Sequence, residues 1–470
     1  MNKHSLLAIA SALIFFVGVN SNVKAQTYEL LASYSANEIS TLAMSFGIPP
    51  SVYTAEYGID AYKVIYEMPY LGETIEVSGA MFLPVDFPDT CNIPVHNYMH
   101  GTIFERTDAP SFLPFEAMLG YLMGSPGYIV LMPDYVGLGE SQLMHPYVHA
   151  QSEADAGIYM MEAVATLGDE LGFAFNGETF ISGYSQGGHA AMALAEELQA
   201  NWSDSYTVTA CAPMSGPYDI SGTQVPLTFQ DAVYSNPAYL AYNVLGWNSY
   251  YGNLYENLNE IFQEPYASIL PGLFDGETSG ADINAALPEL LEDFVQPGIV
   301  DLILNDPDHP FYQAALDNNV YQWVPQTYMQ LYYCTEDEQV FYQNALTAAD
   351  WMTENGALHV TTSNGGALNH GDCAGPSIFG GLLWMQQYHQ DCGTIGVDEN
   401  SSVSAWSMAP NPALDGHTSL IGVSSNAVWN VRDITGRIIS TGTGARVELS
   451  GLQGVYFVEV EGRGTQRILI

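Results

Sequence analysis

Residues 179–198 constrain this chain more than any other segment. A strand-like apolar run, 179–184, meets a helix-like run rich in alanine and leucine, 187–198, across Gly183-Tyr184-Ser185-Gln186-Gly187. Gly-x-Ser-x-Gly at a strand-to-helix junction demands a tight, strained turn, and glycines on both sides let the backbone close. The pentapeptide alone occurs often by chance. With a strand before it, a helix after it and Gly188 extending the small-residue run, it marks Ser185 as a candidate nucleophile.

Such a turn needs a sheet behind it, and the chain supplies the pattern for one. Short apolar runs at 61–67, 75–83, 95–99, 128–132, 179–184, 208–214, 327–334 and 357–362 are interspersed with helical stretches at 36–46, 153–171, 187–198 and 377–388. Alternation of this kind predicts an α/β fold, a mainly parallel sheet with helices on both faces. It breaks between about 221 and 325, where sixteen aromatic residues and no Lys or Arg occur. That stretch is too long for a loop and is expected to be an inserted cap with its own structure. A polar linker, 393–404, leads to residues 405–470, whose short β-type runs and Gly/Asn turns predict a small all-β sandwich. The catalytic domain is expected to span 26–392.

On sheets that carry such a turn, the acid and the histidine follow the serine in that order. The strand at 327–334 runs into Thr335-Glu336-Asp337-Glu338, and Asp337 is the candidate acid, with Glu336 and Glu338 as competitors. Of the histidines beyond it, His359 is expected to pack within a strand and His389 to sit at a helix C-terminus. His370, in the glycine-rich loop 364–371, is the candidate base. The oxyanion of an acyl-transfer intermediate needs two backbone N–H donors. Gln186 and Thr102 are the candidates, Thr102 in the loop His100-Gly101-Thr102, with Ile103 as the alternative. His145 and His149 are spaced i, i+4, but Pro146 between them argues against a helical metal site. No cofactor and no metal is expected.

Charge narrows the function classes further. Acidic residues outnumber basic ones 52 to 9, and between residues 26 and 400 only Lys63 and Arg106 are basic. A nucleic-acid surface or a phosphate clamp needs several cations, so neither is expected. Neutral esters or lipids suit this field better than anions. The N-terminus, Lys3 followed by the apolar run 6–19 and Val23-Lys24-Ala25, reads as a signal peptide over residues 1–25. An exported chain can form disulfides, and its five cysteines allow two bridges and one free thiol.

Three runs carry a family resemblance: Pro133-Asp134-Tyr135-Val136-Gly137-Leu138-Gly139-Glu140-Ser141, His145-Pro146-Tyr147-Val148-His149-Ala150 and Gly183-Tyr184-Ser185-Gln186-Gly187-Gly188-His189-Ala190. Over roughly residues 60–390 the chain resembles the secretory-lipase group of α/β-hydrolases, which includes the fungal lipase A type. The resemblance implies a cofactor-free carboxylic ester hydrolase, with the cap between the sixth and seventh core strands. A peptidase of the same fold would use the same triad, and a non-catalytic surface protein on this scaffold is the other alternative. Dehalogenase and epoxide hydrolase readings are disfavoured, because they need an aspartate where Ser185 stands. The tail, through Ala409-Pro410-Asn411-Pro412, Val431-Arg432-Asp433-Ile434-Thr435-Gly436-Arg437 and Leu452-Gln453-Gly454-Val455-Tyr456-Phe457-Val458, resembles the type A sorting domain of the type IX secretion system. That implies a Gram-negative bacterium of the Bacteroidetes type, export through the periplasm to the surface or medium, and usually removal of the tail.

Overall fold

The computed structural model describes residues 25–88, 91–230 and 233–389, and in the tail 407–414, 417–421, 423–433, 437–450, 452, 455–460 and 464–469. The leader up to residue 24 and the linker 393–404 lie outside these residues.

Nine strands form one sheet: β1 (Ala25–Tyr34), β2 (Gly58–Tyr70), β3 (Glu73–Val85), β4 (Ile93–Met99), β5 (Ile129–Pro133), β6 (Phe175–Tyr184), β7 (Thr207–Met214), β8 (Tyr328–Tyr333) and β9 (Val360–Asn364). Their order is β1-β2-β3-β5-β4-β6-β7-β8-β9. β1, β2, β3 and β5 pair antiparallel in turn, and from β5 through β4 to β9 every pairing is parallel. β4 and β5 are buried at every position, as parallel strands covered on both faces must be. The helices Ala150–Ala165, Gln186–Asn201 and Gln343–Glu354 contribute to one core cluster, together with Met99, Ile129, Ile181 and Leu331. The helices Ala36–Ser45 and His370–Met385 contribute to the second, with Phe82, Tyr98, Phe180 and Met214. Helices therefore cover both faces of a mostly parallel sheet, and the fold is that of the α/β-hydrolases. The strand β1 was not foreseen from sequence; it joins the antiparallel edge.

Between β7 and β8 the chain forms helices, the longest being Pro237–Tyr251. Their core holds Tyr242, Trp247, Phe262, Phe294 and Phe311, so the aromatic richness of this stretch goes into its own packing. Among the described residues no helix is long and apolar enough to cross a membrane. The tail consists of a three-stranded and a four-stranded antiparallel sheet. Leu420 and Val447 from one, and Trp429, Val431, Val458 and Val460 from the other, share a single apolar cluster. The strands Ser407–Leu414, His417–Ile421 and Ile438–Thr443 add to those expected.

Candidate active site

β6 ends at Tyr184 and the next helix begins at Gln186, so Ser185 makes the whole turn by itself. Its φ is +61° and its ψ −121°. A residue with a Cβ is held there at a cost of order 1–3 kcal/mol. The turn is clamped by the Ser185 N–H donating to the Met214 carbonyl at 2.9 Å. A Cβ on Gly183 would lie 2.1 Å from the Gly187 oxygen, and one on Gly187 would lie 1.9 Å from the Met99 oxygen. The glycines of the pentapeptide are therefore fixed by close backbone approach.

The three sequence candidates meet at this turn. His370 Nε2 lies 2.9 Å from Ser185 Oγ, and His370 Nδ1 lies 2.7 Å from Asp337 Oδ2. Asp337 and His370 are each only 6 % exposed. The other carboxylate oxygen of Asp337 accepts from the N–H groups of Gln339 and Val340, at 3.1 and 2.9 Å. Its competitors stand elsewhere. Glu338 Oε2 accepts the backbone N–H of His370 at 3.1 Å, and Glu336 is exposed. His370 is not in a loop: it is the first residue of the helix His370–Met385, whose N-cap Asn369 accepts from the Asp372 N–H. A disulfide joins Cys334, at the end of β8, to Cys373 in that helix. Cys91 is also disulfide-bonded, and Cys211 is a buried free thiol.

Among the described residues the backbone N–H groups of Gln186, Thr102 and Ile103 have no hydrogen-bond partner. The Gly101 N–H, by contrast, donates to Glu116 Oε1 at 3.0 Å. The Thr102 hydroxyl lies 2.8 Å from the Tyr147 hydroxyl. Tyr147 stacks on Tyr242 with centroids 4.7 Å apart, and Phe104 stacks on Tyr242 at 4.9 Å. An aromatic column thus adjoins the loop that follows β4. His100 is buried and structural in its contacts, to the carbonyls of Gly101 and Asp134.

Most of the other histidines discussed from sequence sit in structural contacts. His96 is buried against the Ser182 hydroxyl at 2.8 Å, and burial pushes its pKa down to about 3. His145 and His149 bond separately, to the Val136 carbonyl and to Ser152. His389 lies 3.5 Å from Glu178. His359 departs from the expectation: it precedes β9, is exposed, and rests against the Tyr328 ring. Among the described residues no group of three or more His, Cys, Asp or Glu is placed to hold a metal ion.

Sequence reasoning missed the polar residues under the turn. Glu153 lies between Gln186 and His189, 2.8 Å from Gln186 Nε2 and 2.7 Å from His189 Nδ1. The available signal was a carboxylate on the same helical face as Gly157, Met160 and Val164, a face otherwise apolar.

Scans of family profiles and of curated protein sequences return no match. Solved structures do match. The rice cell wall degrading esterase LipA from Xanthomonas oryzae is 28 % identical over 78 % of this chain and 96 % of its own, with a TM-score of 0.67. A protein of Legionella pneumophila is 27 % identical over 78 % of this chain and 99 % of its own, with a TM-score of 0.71. Candida antarctica lipase A in its closed state shares the fold at 13 % identity, 78 % and 81 % coverage and a TM-score of 0.57.

Proposed function

We propose that this chain is a secreted carboxylic ester hydrolase that works through a Ser185–His370–Asp337 triad and an acyl-enzyme. The observation that carries this reading is the hydrogen-bonded line from Ser185 Oγ through His370 to Asp337, at 2.9 and 2.7 Å. His370 takes the hydroxyl proton as Ser185 Oγ adds to the ester carbonyl carbon. Asp337 holds the imidazole in the required tautomer and stabilises its cation. The N–H groups of Gln186 and Thr102 receive the oxyanion. Collapse of the intermediate expels the alcohol, protonated by His370, and a water activated by the same nitrogen releases the acid. The likeness to a protein named as an esterase supports the ester substrate class.

The substrate is a neutral ester or lipid. Its apolar part lies against Phe104, the partly exposed member of the aromatic column beside the oxyanion loop. Residues 26–392 form the catalytic domain, with a cap at about 221–325. The leader takes the chain to the periplasm, and the tail sandwich directs it through the type IX machinery. The deciding experiment is Ser185→Ala in the purified protein. Ester turnover should fall to the small residue left by binding and the oxyanion donors, with an unchanged circular-dichroism spectrum and no labelling by a fluorophosphonate. A folded variant with near-native turnover would overturn the assignment.

A further inference from the structure

Directly under the turn, polar side chains are wired together out of reach of solvent. Gln186 Nε2 donates to Glu153 Oε1 at 2.8 Å and lies 2.8 Å from His145 Nε2. His189 Nδ1 lies 2.7 Å from Glu153 Oε2, and His189 Nε2 lies 2.9 Å from the Asn318 carbonyl. Glu153 and His189 are wholly buried, and Gln186 and His145 almost so. The triad chemistry uses none of these side chains, yet an unpartnered buried charge would be strongly destabilising.

The donors and acceptors follow from the partners. The Val136 carbonyl can only accept, so the 2.7 Å contact puts the His145 proton on Nδ1. Burial holds the ring neutral, with a pKa of about 3, so Nε2 offers a lone pair to Gln186. Both hydrogens of the Gln186 amide are then used, one by His145 and one by Glu153. The reverse amide orientation would set its oxygen against a carboxylate. Asn318 likewise fixes a proton on His189 Nε2. A bare Nδ1 facing Glu153 Oε2 at 2.7 Å would oppose two lone pairs, so one proton lies between them. Whichever atom holds it, the Glu153–His189 pair carries no net charge.

We infer that Glu153 and His189, together with His145, are positioning residues for the oxyanion donor. The Gln186 N–H belongs to the peptide that joins it to Ser185. The Ser185 carbonyl of that peptide accepts from the Gly188 and His189 N–H groups at 2.9 and 3.3 Å. Anchoring the Gln186 side chain at two points adds to this hold on the rotation of the peptide and the aim of the donor. Neutrality of the pair matters as well, because a lone carboxylate under the oxyanion would oppose the charge that develops there. Preorganised donors contribute to catalysis only while they are held in place. This inference rests on the assignment of Ser185 as nucleophile.

The test measures turnover per Ser185 titrated with a fluorophosphonate. Glu153→Ala should lower kcat by about 10²-fold, the scale of losing an oxyanion donor. KM should stay within about threefold, since the contact is made in the transition state. Affinity for a trifluoromethyl ketone, whose Ser185 adduct places an oxyanion on the donors, should fall in parallel. Glu153→Gln should recover most of the activity: its oxygen accepts from Gln186 and its amide donates to a neutral His189. Should Glu153→Ala fail to fold, Gln186→Met, which removes the amide and keeps the backbone N–H, should show the same loss in kcat and inhibitor affinity. Unchanged kcat per labelled site in either alanine or methionine variant overturns the inference, as does Glu153→Gln being as impaired as Glu153→Ala. A wild-type enzyme that hydrolyses esters but does not label at Ser185 would instead sink the nucleophile assignment itself.

Discussion

Cys334 and Cys373 form a disulfide that ties the loop of the candidate acid to the helix of the candidate base. Cys334 stands three residues before Asp337, and Cys373 three residues after His370. The bridge, with its Cα atoms 6.0 Å apart, therefore spans the same gap as the 2.7 Å Asp337–His370 contact. Replacing both cysteines by alanine should lower unfolding free energy by ~3–4 kcal/mol, the loop-closure scale for a ring of about 40 residues. The kcat at 25 °C should fall as well, more than KM rises. Denaturant titration and steady-state kinetics on the same preparation check this. An unaltered kcat with reduced stability would confine the bridge to a structural role.

The two neighbouring carboxylates should separate cleanly. Asp337→Asn leaves the imidazole in the wrong tautomer and should cut kcat on the order of 10⁴-fold. Glu338→Gln keeps an acceptor oxygen for the His370 N–H and should cost less than about tenfold. Glu336→Gln should cost nothing measurable. Crippling loss in Glu338→Gln would transfer the role of acid to that residue.

Two of the three candidate triad positions were legible because they follow strands of apolar character. Ser185 and Asp337 come just after β6 and β8, where the end of a buried run is easy to place. The start of the helix at His370 was not legible. Gly371, Gly375 and Pro376 give the segment the composition of a loop, and the Asn369 cap together with the Glu338 contact overrides it. β1 was hidden by its proximity to the leader and by a mixed pattern with Leu30 half exposed at the sheet edge. The Glu153–His189 pair was not legible as a pair: Glu153 stood out on an apolar helical face, but nothing in the sequence ties it to His189 on a distant helix, and only the fold brings them together.

Stability should fall in mild acid through buried histidines. Burial pushes His96, His145 and His149 down to about 3, against ~6.5 in an unfolded chain. The unfolded state therefore binds more protons between those values. The contribution is complete above pH ~6.5 and is lost as pH falls towards ~3, at ~1.4 kcal/mol per unit for each ring. Between pH 7.5 and 5.5 each ring contributes a loss of ~1.4 kcal/mol, offset in part by Glu196 and Asp155, which burial raises to about 7 and about 6. Urea titrations of His96→Gln should therefore show a pH-dependent loss smaller than the parent's by ~1.4 kcal/mol. An identical pH slope in His96→Gln would exclude this origin.

Substrate charge should matter most at low salt. Residues 26–400 hold 47 of the 52 acids and two basic residues, and Lys63 is already paired with Glu140. An ester carrying a carboxylate should show a lower kcat/KM than its neutral analogue, chiefly through slower association. The gap should narrow at ~0.15 M salt, where the screening length is ~8 Å. Equal values at low ionic strength would contradict the proposed preference for neutral esters.

The tail should be dispensable for turnover and needed for export. Its apolar cluster is its own, and a domain with its own core can usually be removed without unfolding its neighbour. Truncation after Gly393 should leave near-native kcat and retain the protein in the periplasm of its host. An inactive truncation, or an active one that still reaches the medium, would each contradict one half of this prediction.

The backbone at position 185 also limits which nucleophiles evolution could place there. At φ +61° a β-branched side chain is a severe outlier, since its second γ atom meets the backbone. Threonine, chemically so close to serine, is thus disfavoured by conformation more than cysteine is. The turn that exposes the hydroxyl favours nucleophiles carried on an unbranched Cβ: the hydroxyl of serine, the thiol of cysteine or the carboxylate of aspartate.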